Sequence, residues 1–133
     1  MLIVSATGSS NITTTLYEMA KNKVNPYFVF ELVRKGSNDE IIFTNDDIST
    51  APWYYNEFVI TIATDYIDLI HGVIPLEEGE YKYTAYEMSS QYDLNINNAV
   101  GIVETGLLVC GLDFSAPVRV ITPTTIPVFR PNL

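Results

Sequence analysis

The sequence predicts an all-β fold, a single antiparallel β-sandwich followed by an extended, proline-rich C-terminal arm. Short segments alternate apolar and polar residues, clusters of Gly, Pro, Asn and Asp separate them, and no segment shows a sustained helical period. Six to eight short strands with such turn signals between them are typical of an antiparallel sandwich. At 133 residues, the chain is long enough to bury one core of its own.

Seven segments carry the strand pattern. In chain order they cover residues 11–18, 27–33, 41–44, 57–64, 72–76, 80–88 and 105–112. Pro75 makes the fifth segment a short edge strand, because proline lacks the amide that a central strand needs. In the sixth segment, Tyr81, Tyr83 and Ala85 share one face, which we expect to be buried. The seventh segment is apolar throughout and fits a buried strand.

The end of the chain, residues 113–133, has a different composition. It contains four of the seven prolines, and its only charged side chains after Asp113 are Arg119 and Arg130. Proline excludes a helix or a central strand here, and the apolar content is too high for a solvent-exposed disordered tail. An extended apolar segment of this kind is suited to lie along another protein, which favours an assembly component over an enzyme.

These patterns divide the chain into three parts: an N-terminal strap at residues 1–9, a sandwich domain at 10–113 and a C-terminal arm at 114–133. Leu2–Val4 would form the strap. The arm supplies the predicted partner-binding residues, which are Val118, Arg119, Ile121, Ile126, Phe129 and Arg130.

Charge is unevenly distributed along the chain. The net charge is −9, and residues 36–113 hold fourteen acidic side chains against one basic side chain, Lys82. The segments on either side each carry a small positive excess. An acidic body argues against nucleic-acid binding, which relies on clustered Lys and Arg. No apolar run is long enough for a transmembrane helix, and the N-terminus has no positively charged signal-peptide region.

Signals for enzyme chemistry are sparse. His71 is the only histidine, and it lies in an apolar-flanked loop without a nucleophile motif nearby. Cys110 is the only cysteine, so no intramolecular disulfide is possible, and its apolar neighbours predict a small core residue. Residues 93–104 place oxygen ligands at positions 1, 3, 5 and 12 of a calcium loop, but position 6 is Asn98 instead of Gly. A polar loop between two strands is the favoured interpretation of that segment.

Aromatic residues permit a second kind of function. Trp53, Tyr54 and Tyr55 follow Pro52 in a loop, and exposed aromatic rings close to Asp and Asn side chains are typical of sugar-binding sites. The favoured interpretation places Trp53 over the sandwich core, because aromatic residues dominate such cores. Weak glycan binding through Trp53 and Tyr54 remains open as an alternative.

Four stretches taken together resemble a known family. They cover residues 25–33 (NPYFVFELV), 48–60 (ISTAPWYYNEFVI), 79–90 (GEYKYTAYEMSS) and 103–111 (VETGLLVCG). In this order and spacing, the set resembles small virion proteins of tailed bacteriophages that infect Bacteroidota, including crAss-like phages. The resemblance covers about residues 10–112. It implies an immunoglobulin-like sandwich on the capsid or tail, without catalysis or cofactor, and it places residues 93–104 in a hairpin loop.

The expected function is therefore that of a capsid auxiliary protein that decorates or cements the shell. Its expected partners are the major capsid protein and other virion proteins, and its expected location is the capsid surface after assembly in the host cytoplasm. Two alternatives remain: a tail or head-fibre attachment module, and a carbohydrate-binding adhesion module. An enzyme is not expected.

Overall fold

The computed structural model describes residues 1–24 and 26–111. Eight strands and two single-turn 3₁₀ helices make up this part of the chain, so it is all-β with almost no helix. The strands are β1 (Leu2–Val4), β2 (Gly8–Thr14), β3 (Tyr27–Arg34), β4 (Glu40–Phe43), β5 (Asn56–Ile62), β6 (Val73–Ile74), β7 (Gly79–Met88) and β8 (Ala99–Cys110). The 3₁₀ turns are Tyr17–Met19 and Ile96–Asn98.

The strands form two sheets. The five-stranded sheet has the order β1-β8-β7-β3-β4, and the three-stranded sheet has the order β2-β5-β6. The β3–β4, β3–β7, β7–β8 and β2–β5 pairs are antiparallel, as predicted. The prediction of a purely antiparallel fold was wrong, because β1 pairs with β8 and β5 pairs with β6 in parallel. In each parallel pair one member is a very short strand at a sheet edge: β1 has three residues and β6 has two.

The N-terminal segment is part of the domain rather than a separate strap. Leu2–Val4 pairs with Leu108, Val109 and Cys110 as the edge strand β1. Leu2 and Val4 are buried in the common core, whereas Ile3 between them faces outward. This inward–outward alternation explains why residues 1–4 join the sheet.

A single apolar core lies between the two sheets. Phe30 stacks on Phe43 of the same sheet at 5.4 Å and meets Phe58 of the other sheet edge-on at 5.1 Å. Tyr81, Tyr83 and Ala85 are buried in this cluster, so the predicted inward face of β7 is confirmed. Cys110 is also buried there, as its apolar neighbours predicted.

Two strand boundaries differ from the sequence prediction. Strand β2 stops at Thr14, because the Asn56 side chain accepts the amides of Leu16 (2.9 Å) and Tyr17 (3.1 Å) and draws the chain into a 3₁₀ turn. Strand β8 begins six residues earlier than expected, at Ala99, because its whole length pairs with β7. Within residues 1–24 and 26–111, no helix is long and apolar enough to cross a membrane.

Candidate interaction surfaces

The predicted partner-binding residues Val118, Arg119, Ile121, Ile126, Phe129 and Arg130 lie outside the described residues, and Gly111 is the last residue before them that the structure describes. Gly111 donates its amide to the Val4 carbonyl at 2.9 Å and adopts a positive φ of 90°. A Cβ at this position would lie 2.5 Å from Glu78 Cγ, so glycine is required both for the bend and for the close approach. The chain thus leaves β8 through a fixed bend beside an acidic side chain.

The chain leaves at one particular end of the five-stranded sheet. Cys110 pairs with Gly79, Tyr81 pairs with Arg34, and Val33 pairs with Glu40. The end of β8, the start of β7, the end of β3 and the start of β4 therefore share one end of the sheet, called here the exit end. The loops at residues 15–24, 44–55 and 89–98 lie at the opposite end.

At this opposite end, an aromatic loop presents two large side chains to solvent. Trp53 is 56% exposed and Tyr54 is 74% exposed, and their ring centroids lie 6.2 Å apart. The favoured prediction that Trp53 covers the core was therefore wrong. A loop residue after Pro52 has no strand alternation to orient it, so the sequence could not reveal that these rings face outward.

The aromatic loop has a well-ordered polar base. The amides of Tyr54 and Tyr55 both donate to the Ala51 carbonyl, at 2.9 and 3.1 Å. Asn56, 1% exposed, donates its side-chain amide to Asp47 Oδ2 at 2.6 Å. The other Asp47 oxygen accepts the amides of Ser49 and Glu57, each at 3.0 Å. These bonds fix the loop from both sides, so the exposed rings are presented by a rigid support.

A cleft of about 250 Å³ lies beside this loop, lined by Tyr27, Thr44, Asp46, Phe58 and Tyr92 among others. Tyr92 has a positive φ of 63°, unusual for a side chain of this size. Its hydroxyl donates to Asp46 Oδ1 at 3.0 Å, and this bond to a carboxylate raises the pKa of Tyr92. Gln91 donates to the same oxygen at 3.3 Å. These two bonds to Asp46 Oδ1 hold the loop at 89–98 against the loop at 44–55.

His71 lies in a local hydrogen-bond group. Its Nδ1 lies 2.8 Å from Asp68 Oδ2, which also accepts the Tyr66 hydroxyl at 3.1 Å. The bond from His71 lowers the pKa of Asp68, and Tyr66 adds to the effect in the same direction. The group contains no serine or cysteine nucleophile. The Asp68 carboxylate also accepts the Ile70 amide at 3.3 Å, so these hydrogen bonds shape the turn before β6.

Residues 93–104 do not form a calcium loop. Ala99 to Glu104 belong to β8, and Glu104 accepts the Tyr83 hydroxyl from β7. Burial, followed by this bond, raises the pKa of Tyr83. Asp93 accepts the amide of Asn95 at 3.0 Å and the side chain of Asn98 at 3.1 Å, as a turn residue does. No group of three or more His, Cys, Asp and Glu side chains in the described part of the chain could hold a metal ion. The resemblance placed residues 93–104 in a hairpin loop, but only residues 93–98 lie in a loop, because β8 begins at Ala99.

An apolar groove lies along the outer edge of β4. It has a volume of about 410 Å³ and is lined by Glu40, Ile41, Ile42, Ile67, Leu69, Pro75 and Leu94. A second depression, of about 200 Å³, shares Ile41 and Pro75 with it and contains Arg34, Asp39 and Glu77. The two depressions therefore form one path from the exit end to the β4 edge. The amino-acid sequence does not reveal this groove, because the groove depends on how the loop at 63–72 packs beside β4.

Comparisons with known proteins returned no match: no family model, no curated protein and no solved structure is similar to the chain.

Proposed function

We propose that the chain is a structural protein of a tailed-bacteriophage virion, most specifically a capsid auxiliary protein with an immunoglobulin-like body and an extended C-terminal arm. The arm, above all through Ile126, Phe129 and Arg130, would contact the major capsid protein. In this proposal the chain acts at the capsid surface after assembly in the host cytoplasm, without enzymatic activity or cofactor.

The strand order supports an immunoglobulin-like body. In the variable type of that fold, strands G, F, C and C′ are neighbours in one sheet, and strands B and E are neighbours in the other. Strands β8, β7, β3 and β4 follow the same order in the larger sheet, and β2 pairs with β5 in the smaller one. The four stretches that resemble phage virion proteins fall mainly on β3, β5, β7 and β8, the central part of this framework.

The observation that carries the proposed function is the contrast between body and arm. The described residues already enclose a core from both sheets, and the sequence of the arm adds six or more apolar side chains to these. Burying such a side chain on a partner contributes about 1.5–3 kcal/mol, whereas fixing the backbone costs roughly 1–2 kcal/mol per residue. The prolines reduce this backbone cost, because they already restrict the conformations of the unbound chain. On a capsid shell many identical contacts act together, so modest individual affinities can give firm attachment of the protein.

Copy number in purified particles of the encoding phage tests this proposal. Quantitative mass spectrometry should find hundreds of copies per particle if the chain covers the shell. A few copies per particle would favour the alternative of a tail or head-fibre module. Absence from the particles would overturn the virion proposal. The paired change Ile126→Ser and Phe129→Ser should reduce incorporation, whereas Thr124→Ser and Thr125→Ser in the same arm should not.

The exposed aromatic loop favours one second candidate, carbohydrate binding through Trp53 and Tyr54. Both rings face solvent on a support held by Asn56 and Asp47. A glycan array with the full chain would reveal such binding. The paired change Trp53→Ala and Tyr54→Ala should then abolish the signal, whereas Tyr66→Ala, which removes another exposed ring (61%), should preserve it. An array without signal would leave the loop without this role.

A further inference from the structure

The apolar groove beside β4 has the properties of a strand-binding site. Strand β4 ends the five-stranded sheet, and within the described residues no strand pairs with its outer edge. The Thr44 amide, just past β4, donates to the Leu69 carbonyl at 2.8 Å. Since alternate residues of a strand point to the same side, the Ile42 peptide groups also face the groove. The edge therefore offers free backbone groups above an apolar floor, as sites that accept an added strand do.

The groove walls are apolar and accessible. Ile67 is 51% exposed, and Ile42, Leu69 and Leu94 are half-buried. The rim carries an excess of acidic side chains: Glu40 lies in the groove, and the neighbouring depression holds Asp39 beside Glu77, which is paired with Arg34. An extended, apolar and basic segment would complement both features.

Charge crowding marks the same edge. Glu40 lies close to Glu31 of β3, and their mutual hydrogen bond and repulsion raise the pKa of Glu40. Neither carboxylate forms an ion pair with a cation of the described residues. A guanidinium placed beside them would relieve this repulsion.

One segment of this chain fits these requirements. Residues 118–122 (VRVIT) form a proline-free run between Pro117 and Pro123, so each of them keeps its backbone amide. Four of the five are β-branched and therefore suited to a strand. The fifth, Arg119, is one of only two basic residues in the arm.

The reach is also sufficient. Gly111 and Glu40 lie at the same end of the sheet, about 14 Å apart across three strand spacings and about 13 Å apart along the strands, or roughly 19 Å in all. The six residues 112–117 can span roughly 20 Å when extended. The path between the two points runs past Glu78 and Glu77 and through the depression shared with the groove.

We propose that residues 118–122 of the arm dock in the groove of their own chain as an added strand beside β4, with Arg119 next to Glu40. This assigns the first half of the arm to the body and leaves residues 126–130 free for a partner. The inference rests on the groove and the arm sequence, and it does not require the virion role.

Paramagnetic relaxation in the full-length chain tests the docking. A nitroxide on Thr124→Cys labels the arm outside the docked run, while the buried Cys110 reacts slowly. Methyl signals of Ile42, Ile67 and Leu69 should broaden strongly. The methyl signals of Ile3, on the opposite edge strand, should stay sharp. Uniform broadening, or none at the groove, would overturn the proposal.

Two matched pairs of variants sharpen the test. Ile67→Asp in the groove wall should abolish the broadening, whereas Ile102→Asp, at a similarly exposed position (59%) on β8, should leave it unchanged. Val120→Asp in the arm should abolish it, whereas Val128→Asp, outside the docked run, should not. Preserved methyl dispersion shows that each variant is folded. If both members of a pair behave alike, docking of residues 118–122 is wrong.

A mixing experiment separates the chain's own arm from that of a second copy. An isotope-labelled chain without nitroxide is mixed with an unlabelled chain that carries it. Docking within one chain predicts sharp groove signals in this mixture. Broadening there would show exchange of arms between copies and would overturn the intramolecular assignment.

Discussion

At the residue scale, Tyr83 shows how tightly β7 and β8 fit together. Its hydroxyl donates to Glu104, and its ring lies directly across from Gly106, its partner in the antiparallel pair. A Cβ at Gly106 would lie 2.7 Å from Tyr83 Cε1. Because Tyr83 is buried and its hydroxyl is bonded, the ring has little room to move. Glycine at position 106 is therefore required by the neighbouring ring and not by its own backbone angles.

We predict that Gly106→Ala destabilises the protein by about 1–3 kcal/mol, the usual cost of adding a methyl group to a close-packed site. Gly101→Ala on the same strand is the control, because nothing lies within 4 Å of the position that its Cβ would take. Urea unfolding followed by circular dichroism measures both variants. Equal stability of the two would show that the Tyr83 ring yields and that the packing is looser than described.

Single residues differ in how much the sequence reveals about them. The burial of Tyr81, Tyr83 and Ala85 follows from strand alternation, and that of Cys110 follows from its apolar neighbours. The prediction that Trp53 covers the core was wrong, because the alternation of apolar and polar residues orients side chains in strands and not in loops. The orientation of such a side chain depends on distant bonds, here those of Asn56 and Asp47, which a local pattern does not contain.

At the element scale, Glu87 joins a long connection to the larger sheet. It is 1% exposed on β7, and its carboxylate accepts the amides of Lys21 (2.7 Å) and Asn22 (2.9 Å). These amides belong to the connection between β2 and β3, some 65 residues earlier in the chain. A buried carboxylate that accepts two backbone amides fixes where that connection crosses the end of the sheet.

We predict that Glu87→Gln lowers the free energy of unfolding by about 1–3 kcal/mol. The glutamine side chain has one acceptor oxygen and one NH₂ donor, so one of the two backbone amides that Glu87 accepts would lose its partner. Glu80→Gln, on the same strand, is the matched control. Its ion pair with Lys35 (3.2 Å) is solvent-exposed, so the expected change is within about 1 kcal/mol. Thermal unfolding compares the two. A neutral Glu87→Gln would mean that the connection rearranges freely and that Glu87 does not anchor it.

The elements themselves were largely predictable, and their pairing was less so. All seven predicted segments contain a strand, and the segment around Pro75 is an edge strand, as its proline indicated. The parallel pairing of β1 with β8 and of β6 with β5 was not predicted. Such short edge strands have too few residues to show an alternating pattern, and they join their sheets through contacts that are distant in sequence. The start of β8 was missed for a similar reason: residues 99–104 become a strand only because β7 is long enough to pair with them.

At the scale of the whole molecule, the sequence combines an acidic middle part with a basic, proline-rich C-terminal segment. The middle of the sequence carries nearly all the negative charge, and no acid follows Asp113. The groove beside β4, with Glu40 at its rim, lies on the path from the exit end. A body that holds the first half of the arm would keep apolar side chains out of water until the second half meets a partner, which reduces non-specific association.

We predict that deletion of residues 115–133 leaves a folded body. The described residues from Leu2 to Cys110 supply buried apolar side chains from both sheets, and the truncated chain keeps every one of them. Loss of the docked run would uncover the groove and should cost only about 1 kcal/mol, or about 4 °C in the unfolding temperature of a domain of this size. Hydrogen exchange should show full protection in β3, β7 and β8, with faster exchange confined to the outer edge of β4. If the truncated chain loses cooperative unfolding or its protection in β7, then the arm is an integral strand of the domain. That result would remove the main argument for an arm directed at a partner.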